Sequence, residues 1–306
     1  MSSRFSGVIV PMITPLTADE RVDQPALRRH VDFMIRGGVD GIFILGSLGE
    51  GPMLRPSVRA ELADATVEAA AGRVPVIAGA LDTSTARVIE EIRNLSGRGL
   101  QGYVVTTPYY VGGYNSDELF AHFSRVAETS DLPILMYNIP QNTHVSFNAD
   151  LALRLSEAPN IAGVKDSGPE WQEVQVLLAK LRNPDFAVLE GNQAYAGIAM
   201  LSGAQGLVPG HANVYPELLV DLVAAGRKGD VAATMACQAR LDALARLRGR
   251  AAAHSYKVIL KARGVMEDYV ASPLPRFSPQ EAERFIAANV AAGLPMPGST
   301  GPSTGA

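Results

Sequence analysis

VPMITPLTADE, Val10–Glu20, is the stretch that decides the fold. It follows the first apolar run, GVIVPMI, which begins at Gly7. An open doubly wound sheet places a glycine-rich phosphate turn after its first strand. Val10–Glu20 contains no glycine, which speaks against that fold. Working outward, short β-type runs alternate with helical stretches. The further runs are DGIFIL from Asp40, PVIAGA from Pro75, GYVVTT from Gly102, PILMYN from Pro133, IAGVKD from Ile161, FAVLEG from Phe186 and GLVPG from Gly206. Between them lie stretches such as PALRRHVDFMIRGG, SVRAELADATVEAAAG and STARVIEEIRNLSGRG. Their apolar residues recur at three and four, the helical period. Several close on a glycine, Gly37, Gly72 or Gly97, as helix ends often do.

Eight such β–α units predict a closed (β/α)8 TIM barrel with its helices outside, an α/β fold. The repeats finish near Ala225. GDVAATMACQARLDALARLRGR, SYKVILKARG and SPQEAERFIAANVAAG then carry no strand signal. The expected division is a barrel over residues 1–225 carrying the active site and a C-terminal helical domain over 226–294. The tail, 295–306, is rich in Gly, Pro, Ser and Thr and reads as disordered.

Composition narrows the function. The chain has 306 residues, 47% hydrophobic and 19% charged, which suits a globular protein with a real core. A net charge of -4 gives no basic footprint for nucleic acid. No apolar run reaches the roughly 18 residues of a membrane span, and the N-terminus lacks a signal-peptide core. A single cysteine, Cys237, cannot form an internal disulfide and fits a cytoplasmic location.

Active sites of such barrels lie at the C-terminal ends of the strands. There the sequence places Ser47 in LGSLGEG, Tyr109 and Tyr110 in TTPYY, Tyr137 in MYNIP, Lys165 in VKDSG, Asn192 in EGNQ and His211 in PGHAN. Taken singly, most have a bland reading. A strand-end tyrosine is ordinary packing, GSLGEG an ordinary tight turn, Asn192 a turn residue and His211 a structural imidazole. Lys165 stands apart. It follows a run with no charge, whereas Lys180, Lys228, Lys257 and Lys261 lie in helices or their connections, where a solvated ammonium costs little. Alternation turns Asp166 to the opposite face. Desolvation lowers an amine's pKa, and a neutral amine forms Schiff bases with carbonyls. Such chemistry needs a proton shuttle. Tyr137, one strand away, is the natural donor, with Ser47 and Tyr110 as hydroxyl partners. The backbone N–H groups around Ser47 suit a carboxylate.

GSLGE, TPYY, YNIP and GVKDS, in this order and spacing, resemble the dihydrodipicolinate synthase / N-acetylneuraminate lyase family, from about Ser6 to Gly293. The resemblance implies a homotetramer of (β/α)8 barrels with a C-terminal helical domain, working without metal or other cofactor. It implies a Schiff base of pyruvate or a 2-oxo acid on Lys165 and proton relay through Tyr137. Ser47 would bind carboxylate and join the relay, and Tyr110 would complete it across a subunit interface. The substrate-contacting positions it implies are Ser47, Leu48, Asn142, Asn192 and Val208.

Departures from the family pattern bear on substrate. Synthases of the lysine precursor typically carry an arginine shortly after YN.P, where this chain has Asn142. Leu48 replaces the second hydroxyl of the usual GTTGE. Sialic acid lyases place acidic residues where Asn192 and Gln193 stand, and a serine where Gly210 stands. Asn142, His144, Asn192 and His211 are neutral hydrogen-bonding groups. They suit a hydroxylated or shorter 2-oxo acid, so a sugar-acid aldolase or dehydratase is expected. The synthase proper and a non-catalytic binding protein are the alternatives.

Overall fold

The computed structural model describes residues 5–245 and 252–293. Eight parallel strands close on themselves in chain order. They are β1 (Gly7–Pro11), β2 (Gly41–Ile44), β3 (Val76–Gly79), β4 (Tyr103–Thr106), β5 (Ile134–Asn138), β6 (Ile161–Asp166), β7 (Ala187–Glu190) and β8 (Gly206–Leu207). Each strand is followed by a helix, giving the expected (β/α)8 barrel. All eight apolar runs become strands, most of them a residue or two shorter than the run.

The barrel closes where β8 meets β1, with Gly7 opposite Gly206 and Val8 opposite Leu207. The approach there demands glycine. A Cβ on Gly206 would lie 2.2 Å from the Gly7 carbonyl oxygen, and Gly7 itself adopts φ +78°. Around the barrel, alternation sorts the side chains. Ile9, Phe43, Ile77, Val104, Leu135 and Leu189 pack together with Phe5 as one interior cluster. Their strand neighbours Val8, Val10, Ile42, Ile44, Met136 and Val188 join a larger cluster with helix residues such as Leu27 and Val31. Fully burying each such side chain is worth about 1.5–3 kcal/mol.

The helix after β8 spans Pro216–Arg227 and is followed by Val231–Ala245, Ala252–Ala262 and Pro279–Ala291. A boundary at Gly226 therefore falls inside the last turn of the helix after β8. That helix continues to Arg227 because the breaker is Gly229, at φ +71°. Helix Val231–Ala245 packs on Pro216–Arg227 and on Ala196–Leu201. Leu241, Leu244, Ile259 and Leu260 share the barrel's outer core cluster. Ser278 and Glu281 form a capping box on the final helix. The tail expected to be disordered, and the end of the helical run expected after Ala245, lie outside the described residues. Among the described residues, no helix is long and apolar enough to cross a membrane.

One lysine departs from expectation. Lys257 is not solvated; it is fully buried beside Glu50, Nζ to Oε1 2.5 Å. Helical periodicity marks a face as buried or exposed, but it does not reveal a carboxylate two hundred residues away.

Candidate active site

The register of β5 and β6 sets Tyr137 opposite Lys165. Alternation turns both inward at the C-terminal end of the barrel, and the next pair, Asn138 and Asp166, turns away. Asp166 accepts hydrogen bonds from Asn138 Nδ2 at 2.9 Å and from the Gly168 N–H at 2.7 Å. It is committed there and does not serve Lys165.

Lys165 is 3% exposed. Burial pulls its amine down to about 7, and no carboxylate of the described residues counters it. Its Nζ lies 3.7 Å from the centroid of the Tyr137 ring and 5.0 Å from that of Phe43. Ring faces favour an ammonium by about 0.5–2 kcal/mol. The desolvation it opposes is larger, about 5 kcal/mol. The barrel thus holds an amine with a substantial neutral fraction near pH 7.

Tyr137 is 4% exposed. Burial pushes its phenol up to about 12, and hydrogen bonds with Ser167 and Ser47 restrain the rise. Ser47 is where the sequence reading expected it. Ser167 is a residue that reading missed. It follows Lys165 by two positions, so strand alternation was the available signal. Gly191, at the end of β7, makes room for this group. A Cβ there would fall 2.2 Å from Ser167 Oγ and 3.0 Å from Lys165 Cε.

A cavity of about 1120 Å³ opens over these groups, lined by Ser47, Leu48, Tyr137, Asn142, Lys165, Asn192 and Val208 among others. Of the eight catalytic and substrate-contacting positions that the resemblance implies, seven therefore meet at one mouth. Tyr110 does not. It is 90% exposed and held at φ +78°, and it does not line the cavity of its own chain. Asn192 lines the cavity, but its side chain is occupied: Oδ1 accepts from the Ala194 N–H and Nδ2 donates to the Gly168 carbonyl. His144 is exposed and off the cavity. His211 is buried behind it, its Nδ1 against Tyr256 Oη at 2.8 Å and against Gln193 Oε1. The four neutral groups expected to meet substrate hydroxyls are thus not one set. Gln193 and Tyr256 line the cavity instead of His144 and His211. Tyr256, Asp242, His254 and Leu274 bring the C-terminal helical region into the cavity wall. Periodicity gave no hint of this, since it does not show where a helix docks.

The loop of strand eight is seated by Asn213. Its Oδ1 accepts from the Ile13 N–H at 3.0 Å, and its Nδ2 donates to the carbonyls of Pro11 and Gly210. Among the described residues, no three His, Cys, Asp or Glu side chains gather as a metal site. The arrangement that remains is an apolar-walled amine, a phenol beside it, and two serine hydroxyls on that phenol. It can add an amine to a carbonyl and move protons over the short distance that step needs.

The model of the dihydrodipicolinate synthetase family matches residues 4–291. A 4-hydroxy-tetrahydrodipicolinate synthase from Aromatoleum aromaticum is 34% identical over 291 residues, covering 95% of this chain and 99% of that protein. One from Xylella fastidiosa is 37% identical over 230 residues, covering 74% and 76%. Among solved structures, a prophage protein of the dihydrodipicolinic acid synthase family from E. coli K12, in complex with pyruvate, superposes with a TM-score of 0.90. It is 27% identical, over 95% of this chain and all of that one. The dihydrodipicolinate synthase of Bacteroides thetaiotaomicron gives 0.88 at 30% identity, over 95% and 100%. With a family model matched over residues 4–291 and relatives above 30% identity along the barrel and its helices, the chain belongs to the dihydrodipicolinate synthetase family of lyases.

Proposed function

We propose that Lys165 forms a Schiff base with pyruvate or a related 2-oxo acid, and that the substrate is a hydroxylated 2-oxo acid cleaved or dehydrated next to the former carbonyl. The observation that carries this is a buried amine at the barrel mouth with no carboxylate of the described residues beside it. The neutral Nζ adds to the C2 carbonyl. Its two protons and the carbonyl oxygen leave as water when the imine forms. Tyr137 carries protons between the nitrogen and that oxygen, with Ser47 and Ser167 restoring its own. Ser47 and the N–H groups of its turn hold the C1 carboxylate. The imine nitrogen then takes a proton from the Tyr137 phenol, and the resulting iminium accepts the electron pair released when the C3–C4 bond breaks. An enamine remains on Lys165, and the C4 hydroxyl gives its proton back to the Tyr137 phenolate as the aldehyde departs. That a family relative was solved with pyruvate supports the first step.

Asn142 on the cavity wall supports the hydroxylated substrate. An arginine there would pair with a second carboxylate by a charge-assisted bond worth about 1.5–3 kcal/mol. No arginine of the described residues lines the cavity. A second reading, the synthase reaction of pyruvate with aspartate semialdehyde, is favoured by the names of the relatives. The two differ in kcat/KM. The expected result is that a 2-oxo-3-deoxy sugar acid from a screened panel exceeds aspartate semialdehyde plus pyruvate by roughly 10-fold or more. If the semialdehyde reaction wins by that margin, Asn142 does not set the substrate and the second reading stands.

A further inference from the structure

The turn that carries Ser47 is built from unfavourable parts. Leu45 and Glu50, neither a glycine, both adopt the left-handed region, at φ +60° and +62°. Inside the turn, the Glu50 N–H donates to the Ser47 carbonyl at 3.2 Å and the Gly51 N–H to that of Gly46 at 3.0 Å. Thr14 Oγ1 donates to the Gly49 carbonyl at 2.5 Å. Those bonds close the turn. The Thr14 bond also ties Gly49 to the segment after β1, on one side of the turn.

The Glu50 side chain is fully buried and reaches across to the C-terminal helices. Oε2 accepts from the Ala271 N–H at 2.5 Å, and Oε1 lies 2.5 Å from Lys257 Nζ. Lys257 in turn donates to the Tyr269 carbonyl at 2.6 Å. One carboxylate thus ties the Ser47 turn to two C-terminal segments. A buried ion pair of this kind gives little stability over well-packed apolar groups of the same size. Its place beside a strained turn calls for another reason.

We propose that the Glu50–Lys257 pair is a positioning device, through which the C-terminal helices set Ser47 and its turn for the carboxylate of the 2-oxo acid. This rests on the Schiff-base reading above. Ser47 lies three residues from Glu50, within the same closed turn, so a shift of Glu50 displaces the hydroxyl and the N–H groups around it. Neither Glu50 nor Lys257 lines the cavity. Both act through Ser47, and their effect falls on substrate capture before it falls on the amine.

The test separates stability from capture. Glu50→Leu/Lys257→Met removes both charges and keeps the volume, so no buried ion is left orphaned. Glu50→Gln/Lys257→Met also removes both charges but keeps an acceptor for the Ala271 N–H. For each, the pyruvate concentration giving half-maximal borohydride trapping is measured well below its melting temperature. In Glu50→Leu/Lys257→Met it should rise about tenfold or more, the scale of a displaced charge-assisted bond, while saturating pyruvate still labels Lys165. Glu50→Gln/Lys257→Met should fall between that variant and the wild type. A folded Glu50→Leu/Lys257→Met with wild-type half-saturation overturns the proposal. If that variant fails to fold, Glu50→Gln/Lys257→Met decides: a rise of about threefold or more supports positioning, and no change overturns it. Wild-type protein that traps no 2-oxo acid would instead defeat the Schiff-base reading, and is told apart by that control.

Discussion

Lys165 and Lys257 are both buried lysines, and burial lowers the pKa of each. They differ in company. Lys257 faces the Glu50 carboxylate, which opposes that lowering, whereas Lys165 faces the rings of Tyr137 and Phe43 and no carboxylate of the described residues. In the readings proposed above, the first arrangement positions the Ser47 turn and the second frees a lone pair for chemistry. In the proposed mechanism Tyr137 serves the same step through its phenol, not its ring. Tyr137→Phe keeps the packing and loses the proton relay. It should lower kcat about 10²–10⁴-fold while KM for the 2-oxo acid changes little. Steady-state kinetics with chemistry rate-limiting would contradict the relay if kcat stayed at the wild-type value. At this scale the sequence made Lys165 legible, as one charge after an apolar run. Ser167 was equally legible by alternation and was passed over. Lys257 was not legible, because its partner is distant in the chain and no local pattern encodes it.

At the scale of elements, β7 carries a second group held in an unusual protonation state. Glu190 pairs in register with Asp166 and turns away from the barrel interior with it. Burial pushes its carboxyl up to about 9, the Asp166 charge adds to the rise, and the N–H bonds of Gly191 and Asn192 oppose it. The consequence for stability has a definite sign. Below pH 4.5 the carboxyl is protonated whether the chain is folded or not. Between pH 4.5 and about 9 the unfolded carboxyl ionises and the folded one does not, so stability falls as pH rises, by up to about 1.4 kcal/mol per pH unit. Glu190→Gln removes that slope. Its melting temperature should exceed the wild type's by a margin that widens from pH 6 to pH 9. Parallel curves for the two proteins would show that Glu190 is ionised in the fold. The strands themselves were easy to read, because each is a short apolar run beside a helical period. Helix docking was not. The C-terminal helices are visible in the sequence, but their contribution of Tyr256 and Asp242 to the cavity wall follows from packing angles that periodicity does not carry.

At the scale of the whole molecule, desolvation of Lys165 is a collective property: it requires the sheet to close, which the β8–β1 glycine seam allows. Eight β–α units in the sequence were enough to expect that closure. Assembly beyond one chain was not written in periodicity. Tyr110 and Val111 are 90% and 61% exposed, and Tyr110 has no role in its own cavity. We expect a homotetramer in which Tyr110 joins the relay of a neighbour. Sedimentation should give four chains, and a monomer with full turnover would refute this. The central claim is narrower and does not depend on assembly: the closed barrel makes Lys165 the nucleophile. Its most direct measurement is peptide mass spectrometry of the intact protein after incubation with pyruvate and borohydride. A reduced pyruvyl mass on the peptide that contains Lys165, absent in Lys165→Ala, is the expected result. Label that persists unchanged in Lys165→Ala, or sits on another lysine, would contradict it.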